Sequence, residues 1–276
     1  MGERARAVVI RTAGTNCDGE MVRGFEMAGA SVELVHLDRL IAEPRRLERA
    51  DLIGFPGGFS YGDDIAAGRV QAVKMRERLW GALRTAAERG ACMIGACNGF
   101  QVMVQVGLLP GPADGVWPER APRQVMGLAA NASARFVDAW SRVVVPRETV
   151  CVWTREFEER SGGVGGVGTG DVMMLPSAHG EGRLMAPEDA LDGLEARGQV
   201  AMRYVGGENP NGSARDIAGI CDVSGRIFGL MPHPERYLEW TRHPWWTRLG
   251  VDVRRGEAPG LAMFRSAVEA VAWART

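Results

Sequence analysis

Residues 91–101 read ACMIGACNGFQ: an apolar run ends at Ala96, a cysteine follows at 97, and a helical pattern begins at about Asn98. This predicts a strand over Ala91–Ala96, a sharp turn at Cys97 and a helix continuing through Gly99–Val106. Gly95 and Gly99 give the spacing G-x-C-x-G. A strained strand-to-helix turn needs small residues on both sides of its central residue. A thiol there lies at the positive end of the helix dipole, which favours the thiolate. The backbone N–H of Asn98 would then point toward an oxyanion formed by attack of that sulfur. Taken alone, the pattern fits a structural thiol as well as a nucleophile, and Cys92 inside the strand reads as one.

Outward from this turn, short apolar runs alternate with helical periodicity. Ala7–Ile10, Val32–Val35 and Asp51–Phe55 read as buried strands, and Asp18–Ala30 and Val70–Arg89 read as helices. Asp18 is placed as an N-cap, with Gly29 near the helix end. Strand–helix–strand at this spacing implies an α/β fold, an open, mostly parallel sheet flanked by helices. Such sheets bind ligands beyond the carboxyl ends of their strands. The later half is more β-like. Ala134–Val137 and Ser141–Val145 are paired as a hairpin, Glu188–Arg197 reads as a short helix, and Ala218–Cys221 and Ile227–Leu230 read as buried strands. Leu261–Ala272 closes the chain as a helix, and Ser161–Gly170 is a glycine-rich surface insertion. No repeat or linker divides residues 1–276, which are read as one domain.

Composition narrows the class. Hydrophobic residues make up 46% of the 276, enough for a sizeable core. The 33 Lys+Arg balance 34 Asp+Glu, so neither nucleic acid nor a membrane surface is indicated as a partner. The opening MGERARAVVIRTAG leads directly into a strand without a secretory cleavage pattern, and the expected location is the cytoplasm. Five cysteines at irregular spacing, with no CxxC pair, indicate free thiols rather than a disulfide framework or a metal site.

A thiolate nucleophile needs a proton carrier, normally histidine. The candidates are His36, His179, His233 and His243. His36 follows a strand without an evident partner, and His243 sits in the Trp-rich stretch TRHPWWTR, read as exposed. His233, in LMPHPER, follows the strand Ile227–Leu230, where a parallel sheet delivers side chains to its site. Pro232 and Pro234 stiffen the segment, so Glu235 can hold the imidazole in one tautomer. A capped loop histidine beside a solvated glutamate is the alternative. Gly57 and Gly58, after the third strand, could bring backbone N–H groups close to a ligand. His179, in SAHGEG, could reach the same site, and Gln101, one turn after Cys97, could bond a substrate amide. Each of these loops also fits an ordinary turn.

Together the segments GTNCD (14–18), PGGFSYGDD (56–64), GACNGFQ (95–101), GLLPG (107–111), AHGEG (178–182), NPNGSARDIAGI (209–220) and GLMPHPER (229–236) resemble the class I, triad-type glutamine amidotransferases. Within that flavodoxin-like family they are most similar to the glutaminase subunits of phosphoribosylformylglycinamidine synthase. The resemblance spans nearly the whole chain. It implies that Cys97 attacks glutamine to form a thioester, that His233 moves the proton, and that Glu235 orients His233. It also implies an oxyanion site near Gly58 and Asn98, and substrate contacts from Gln101. Released ammonia would pass to a synthetase subunit using ATP and Mg²⁺, with a third small subunit as a possible companion. The chain itself has no cofactor or metal site by this reading. Ala13 stands where the family has proline, and residues 112–123, 156–170 and 237–257 are longer than in short bacterial members. The tryptophans of the last stretch suit an interface or a local cluster. Two other readings are a cysteine hydrolase sharing the turn, and a metal module using Cys97, His179 and His233. The first places histidine directly after the cysteine, where this chain has Asn98.

Overall fold

The computed structural model describes residues 4–156, 173–251, 254 and 256–273. The Ser161–Gly170 stretch lies outside them. Eleven strands are described: β1 (Arg6–Arg11), β2 (Ser31–His36), β3 (Leu52–Phe55), β4 (Cys92–Ala96), β5 (Gly127–Ala130), β6 (Val137–Val144), β7 (Met174–His179), β8 (Glu181–Met185), β9 (Val200–Tyr204), β10 (Ile217–Cys221) and β11 (Ile227–Leu230). Nine of them form one sheet in the order β2-β1-β3-β4-β11-β10-β9-β6-β7. From β2 to β11 the neighbours run parallel. From β11 to β7 they run antiparallel. β5 and β8 pair separately.

Strand alternation sorts the core into two layers. Along β1, Ala7 and Val9 enter one apolar cluster and Val8 and Ile10 the other. The first is roofed by the helices Asp18–Met27 (α1) and Pro259–Trp273, where Phe25 and Phe264 meet edge-on at 5.0 Å. The second lies under Leu37–Ala42, Arg69–Arg78, Trp80–Glu88 and Asn98–Val106, which supply Leu37, Met75, Leu83 and Phe100. Helices on both faces of a parallel sheet follow from strands that are apolar throughout: β3 and β4 are buried at every position.

Several expectations need correction. Cys17, not Asp18, is the N-cap residue of α1, and Asp18 begins the helix and pairs with Arg11 at 3.3 Å. The helix expected over 70–89 is two helices, broken at Leu79, which turns out of the helical region to seat Trp80 against Trp117 and the Pro118 carbonyl. The hairpin of Ala134–Val137 with Ser141–Val145 does not form. Ala134 takes a left-handed turn, and Val137–Val144 runs as one strand whose partners lie far downstream in β7 and β9. His243 is buried: its ring packs against Trp140, Tyr237 and Trp245, a local aromatic cluster that leaves Trp245 and Trp246 partly exposed.

Candidate active site

The parallel half of the sheet places two distant residues side by side. β4 and β11 are hydrogen-bonded neighbours with Ala96 opposite Leu230. The Cys97 amide donates to the Leu230 carbonyl at 2.8 Å, so Cys97 and the segment leading to His233 leave the sheet at the same edge. Cys97 has φ 50° and ψ −109°, a strained conformation for a residue other than glycine, and caps the helix Asn98–Val106. Gly99 is required here, because a β-carbon would strike the Phe55 carbonyl.

His233 is buried and its imidazole is fixed from one side. Nδ1 lies 2.6 Å from Glu235 Oε1, and the backbone amide donates to the Pro176 carbonyl at 2.7 Å. With Nδ1–H given to the carboxylate, Nε2 is the nitrogen left for chemistry, and it has no hydrogen-bond partner among the described residues. Burial disfavours the imidazolium, but the carboxylate of Glu235 and the sulfur of Cys97 outweigh it and raise His233 well above its ordinary value. His36 is remote in role: it caps the following helix, accepting from the Asp38 amide at 3.3 Å.

Cys97, His233, Gly58, Gln101 and His179 line one cavity of about 350 Å³. Gly57 sits behind the imidazole, where a β-carbon would come within 2.6 Å of His233 Cε1. Its carbonyl accepts from the amides of Asn16 and Cys17, so the Gly58 N–H, across the same trans peptide, points the opposite way. Asn98 is not in the cavity wall with its side chain. That amide braces the loops instead, donating to Asp63 and Gln101 at 3.0 Å each and accepting from the Ser60 amide. Gln101 is already occupied: its carbonyl takes the Asn98 bond and its amide donates to the Glu181 carbonyl.

Sequence reading gave no individual role to four further cavity residues: Cys17, Arg236, Asp63 and Glu181. The Cys17 sulfur is 3.8 Å from His233 Nδ1 and 3.1 Å from an Arg236 nitrogen. Burial raises its thiol above the ordinary value despite the hydrogen bond to His233, so it is held protonated. Cys17, His233 and Glu235 also bring one potential metal-ligating atom each within 4.8 Å. The tight His233–Glu235 bond and the adjacent guanidinium oppose a cation there. The only sequence signal for these four was their presence in GTNCD, GGFSYGDD, AHGEG and HPER.

His179 is neutral by construction. Asn131 Oδ1 accepts from the Gly182 amide and its Nδ2 donates to two carbonyls, so Oδ1 must also accept from His179 Nδ1 at 3.2 Å. Burial and then the charge of His233 lower His179 to about 4. The two histidines therefore act oppositely on stability. His179, depressed from 6.5, favours folding above pH 6.5 and loses that contribution as pH falls toward 4. His233, raised, contributes fully below 6.5 and declines as pH climbs through its folded value. Urea denaturation of His179→Gln is expected to remove up to about 1.4 kcal/mol per pH unit from the decline between 6.5 and 4. Unchanged slopes would contradict this assignment.

Residues 4–271 match the family model of the CobB/CobQ-like glutamine amidotransferase domain. The phosphoribosylformylglycinamidine synthase subunit PurQ of Dehalococcoides mccartyi is 40% identical over 280 residues, covering 99% of this chain and 98% of that protein. This chain belongs to the PurQ family of glutamine amidotransferases. The PurQ subunit of Mycobacterium bovis is 37% identical over 97% of this chain and 98% of its own. Among solved structures, a chain of PurLQS from Thermotoga maritima superposes with a TM-score of 0.69 at 32% identity, covering 97% of this chain and 99% of that one. A second glutamine amidotransferase from Thermotoga maritima, at 16% identity and TM-score 0.51, shares the fold. PurQ membership accounts for the α/β architecture expected from the sequence. No helix of the described residues is long and apolar enough to cross a membrane.

Proposed function

We propose that this PurQ-family chain hydrolyses glutamine through a thioester on Cys97, acting over residues 1–276 as one amidotransferase domain in the cytoplasm. The observation that carries this reading is the juxtaposition of Cys97 and His233 by β4 and β11, with Glu235 on the far side of the imidazole. Cys97 passes its thiol proton to His233 Nε2, its Sγ attacks the carboxamide carbon, and negative charge develops on the amide oxygen. The Asn98 N–H in the first helical turn and the Gly58 N–H supply the oxyanion donors. His233 Nε2 delivers a proton to the nitrogen as the C–N bond breaks and ammonia leaves. Water then attacks the thioester while Nε2 takes its proton, releasing glutamate and restoring the thiol. Glu235 holds the productive tautomer throughout. Gly57 gives the imidazole room. Gln101 builds the cavity wall and positions its neighbours rather than offering a free hydrogen bond, and His179 presents an acceptor to the substrate.

The ammonia serves a synthetase subunit that binds ATP and Mg²⁺ and converts formylglycinamide ribonucleotide to the amidine, in a complex that includes a third small subunit. The relative in PurLQS supports this assembly. Glutaminase activity of the isolated chain is expected to be low and to rise about 5- to 150-fold on adding the synthetase and small subunits, the usual range of coupling between sites. Full turnover by the free chain at saturating glutamine would refute the coupling.

A further inference from the structure

Arg236 directly follows Glu235 in the chain and places a guanidinium in the wall of the cavity that contains Cys97. Glu235 is 1% exposed. Its Oε1 meets His233 Nδ1, but its Oε2 is buried without a hydrogen-bond partner among the described residues. A buried carboxylate oxygen left empty is costly, and an arginine fork is the group that fits a carboxylate best. Among the described residues Arg236 nonetheless forms no ion pair with Glu235. One of its nitrogens sits 3.1 Å from the Cys17 sulfur, and another lies 3.8 Å from Glu20 Oε1.

Cys17 reaches this place from a distant segment. It is the N-cap residue of α1, and its backbone amide donates to the Gly57 carbonyl at 3.2 Å. The sulfur lies 3.8 Å from His233 Nδ1. The sulfur, a ring nitrogen of His233 and a carboxylate oxygen of Glu235 all lie within 4.8 Å of one another. One atom therefore touches the guanidinium and borders the His233–Glu235 bond. The thiol donates to Asn16 Oδ1 at 3.1 Å, which leaves its lone pairs to accept from Arg236. Burial keeps it protonated, so it takes the arginine bond without becoming a rival anion for the imidazole.

We propose that Cys17 is a positioning residue whose sulfur holds the Arg236 guanidinium and keeps it from capturing the Glu235 carboxylate. The inference rests on the reading of His233 as proton carrier and Glu235 as its orienter. A captured carboxylate would divide its charge between two cations and hold the imidazolium less firmly. The titratable and charged groups that face His233 are Glu235 at Nδ1, Cys17 beside it, Cys97 and His179 in the cavity wall, and Arg236 against the sulfur. Removing the sulfur releases Arg236 alone. His233 would then lose its proton at lower pH.

The test measures kcat and KM for glutamine against pH in the assembled synthetase complex. Cys17→Ala is expected to move the alkaline limb of the kcat profile down by about one pH unit and to lower kcat about 10-fold, the smaller end of what a neighbouring charge does to a titrating group. Combining it with Arg236→Met should return the limb to its wild-type position, whatever KM does, because the competing guanidinium is gone. Cys17→Ser, whose hydroxyl still accepts from the guanidinium, should keep most of the wild-type profile. An unmoved limb in Cys17→Ala, or one that stays low in the double variant, would overturn the inference, since a thiol that merely packs beside the ring gives no such pattern. Glu235→Gln separates this inference from the reading beneath it. If that variant leaves the profile and kcat intact, both fall. If it moves the limb and Cys17→Ala does not, the positioning role alone falls. Should Cys17→Ala not fold, Arg236→Met alone decides. With the guanidinium held at the sulfur, its removal should move the limb by less than about half a unit, and a rise of about one unit or more would mean that Arg236 already acts on Glu235.

Discussion

Cys97→Ala in the assembled complex is expected to reduce glutamine hydrolysis by at least about 10⁴-fold, the scale seen when a covalent nucleophile is removed. Amidine synthesis from added ammonium salt should continue, because the substitution leaves the partner's chemistry alone. The small side chain fits the turn, since alanine asks less room than cysteine and the strain at φ 50° is borne by the backbone. A diazoketone analogue of glutamine should label residue 97 alone. The comparison to make is with Cys17, which lines the same cavity. Burial keeps that thiol protonated and poorly nucleophilic. Mass spectrometry that finds label on Cys17, or hydrolysis that survives in Cys97→Ala, would end the proposal.

Glu235→Gln is expected to lower kcat by about 10²- to 10⁴-fold with a smaller effect on KM. The amide is nearly isosteric with the carboxylate, so the 2.6 Å contact to His233 Nδ1 can survive in geometry while losing its charge. Two consequences follow. The imidazole is no longer held in the tautomer that exposes a proton-accepting Nε2, and the imidazolium loses the main partner that raises it. The alkaline limb of the rate profile should therefore move to lower pH, since His233 would surrender its proton sooner. A variant with an unshifted profile and nearly full kcat would mean that Glu235 is structural.

The sequence made the meeting of Cys97, His233 and Glu235 legible for a physical reason. Short apolar strands end abruptly, and in a parallel sheet their carboxyl ends define the site, so Cys97 after β4 and His233 after β11 could be placed without coordinates. Gly57 and Gly58 were readable as close-approach residues by the same logic. What stayed hidden depends on contacts remote in sequence. The neighbourhood of Asp63 and Glu181 is set by the amides of residues 67 and 68, and the tautomer of His179 by Asn131. The Gln101 side chain looked free because one partner, the Glu181 carbonyl, is reached only when the helix meets β8, although the other, Asn98, lies one turn away on the same helix. The hairpin error has the same origin. Val137–Val144 finds β7 across a long excursion, and local alternation cannot reveal a distant partner.

The pairing of β4 with β11 also sets an order of events during synthesis. Cys97 lies in the first half of the chain, and His233, the base proposed for it, arrives more than a hundred residues later. Until that last parallel strand has left the ribosome and slotted against its neighbour, the sulfur has no proton acceptor. On the proposed mechanism an unfinished or truncated polypeptide carries an inert thiol, and no fragment releases ammonia that it could never hand on.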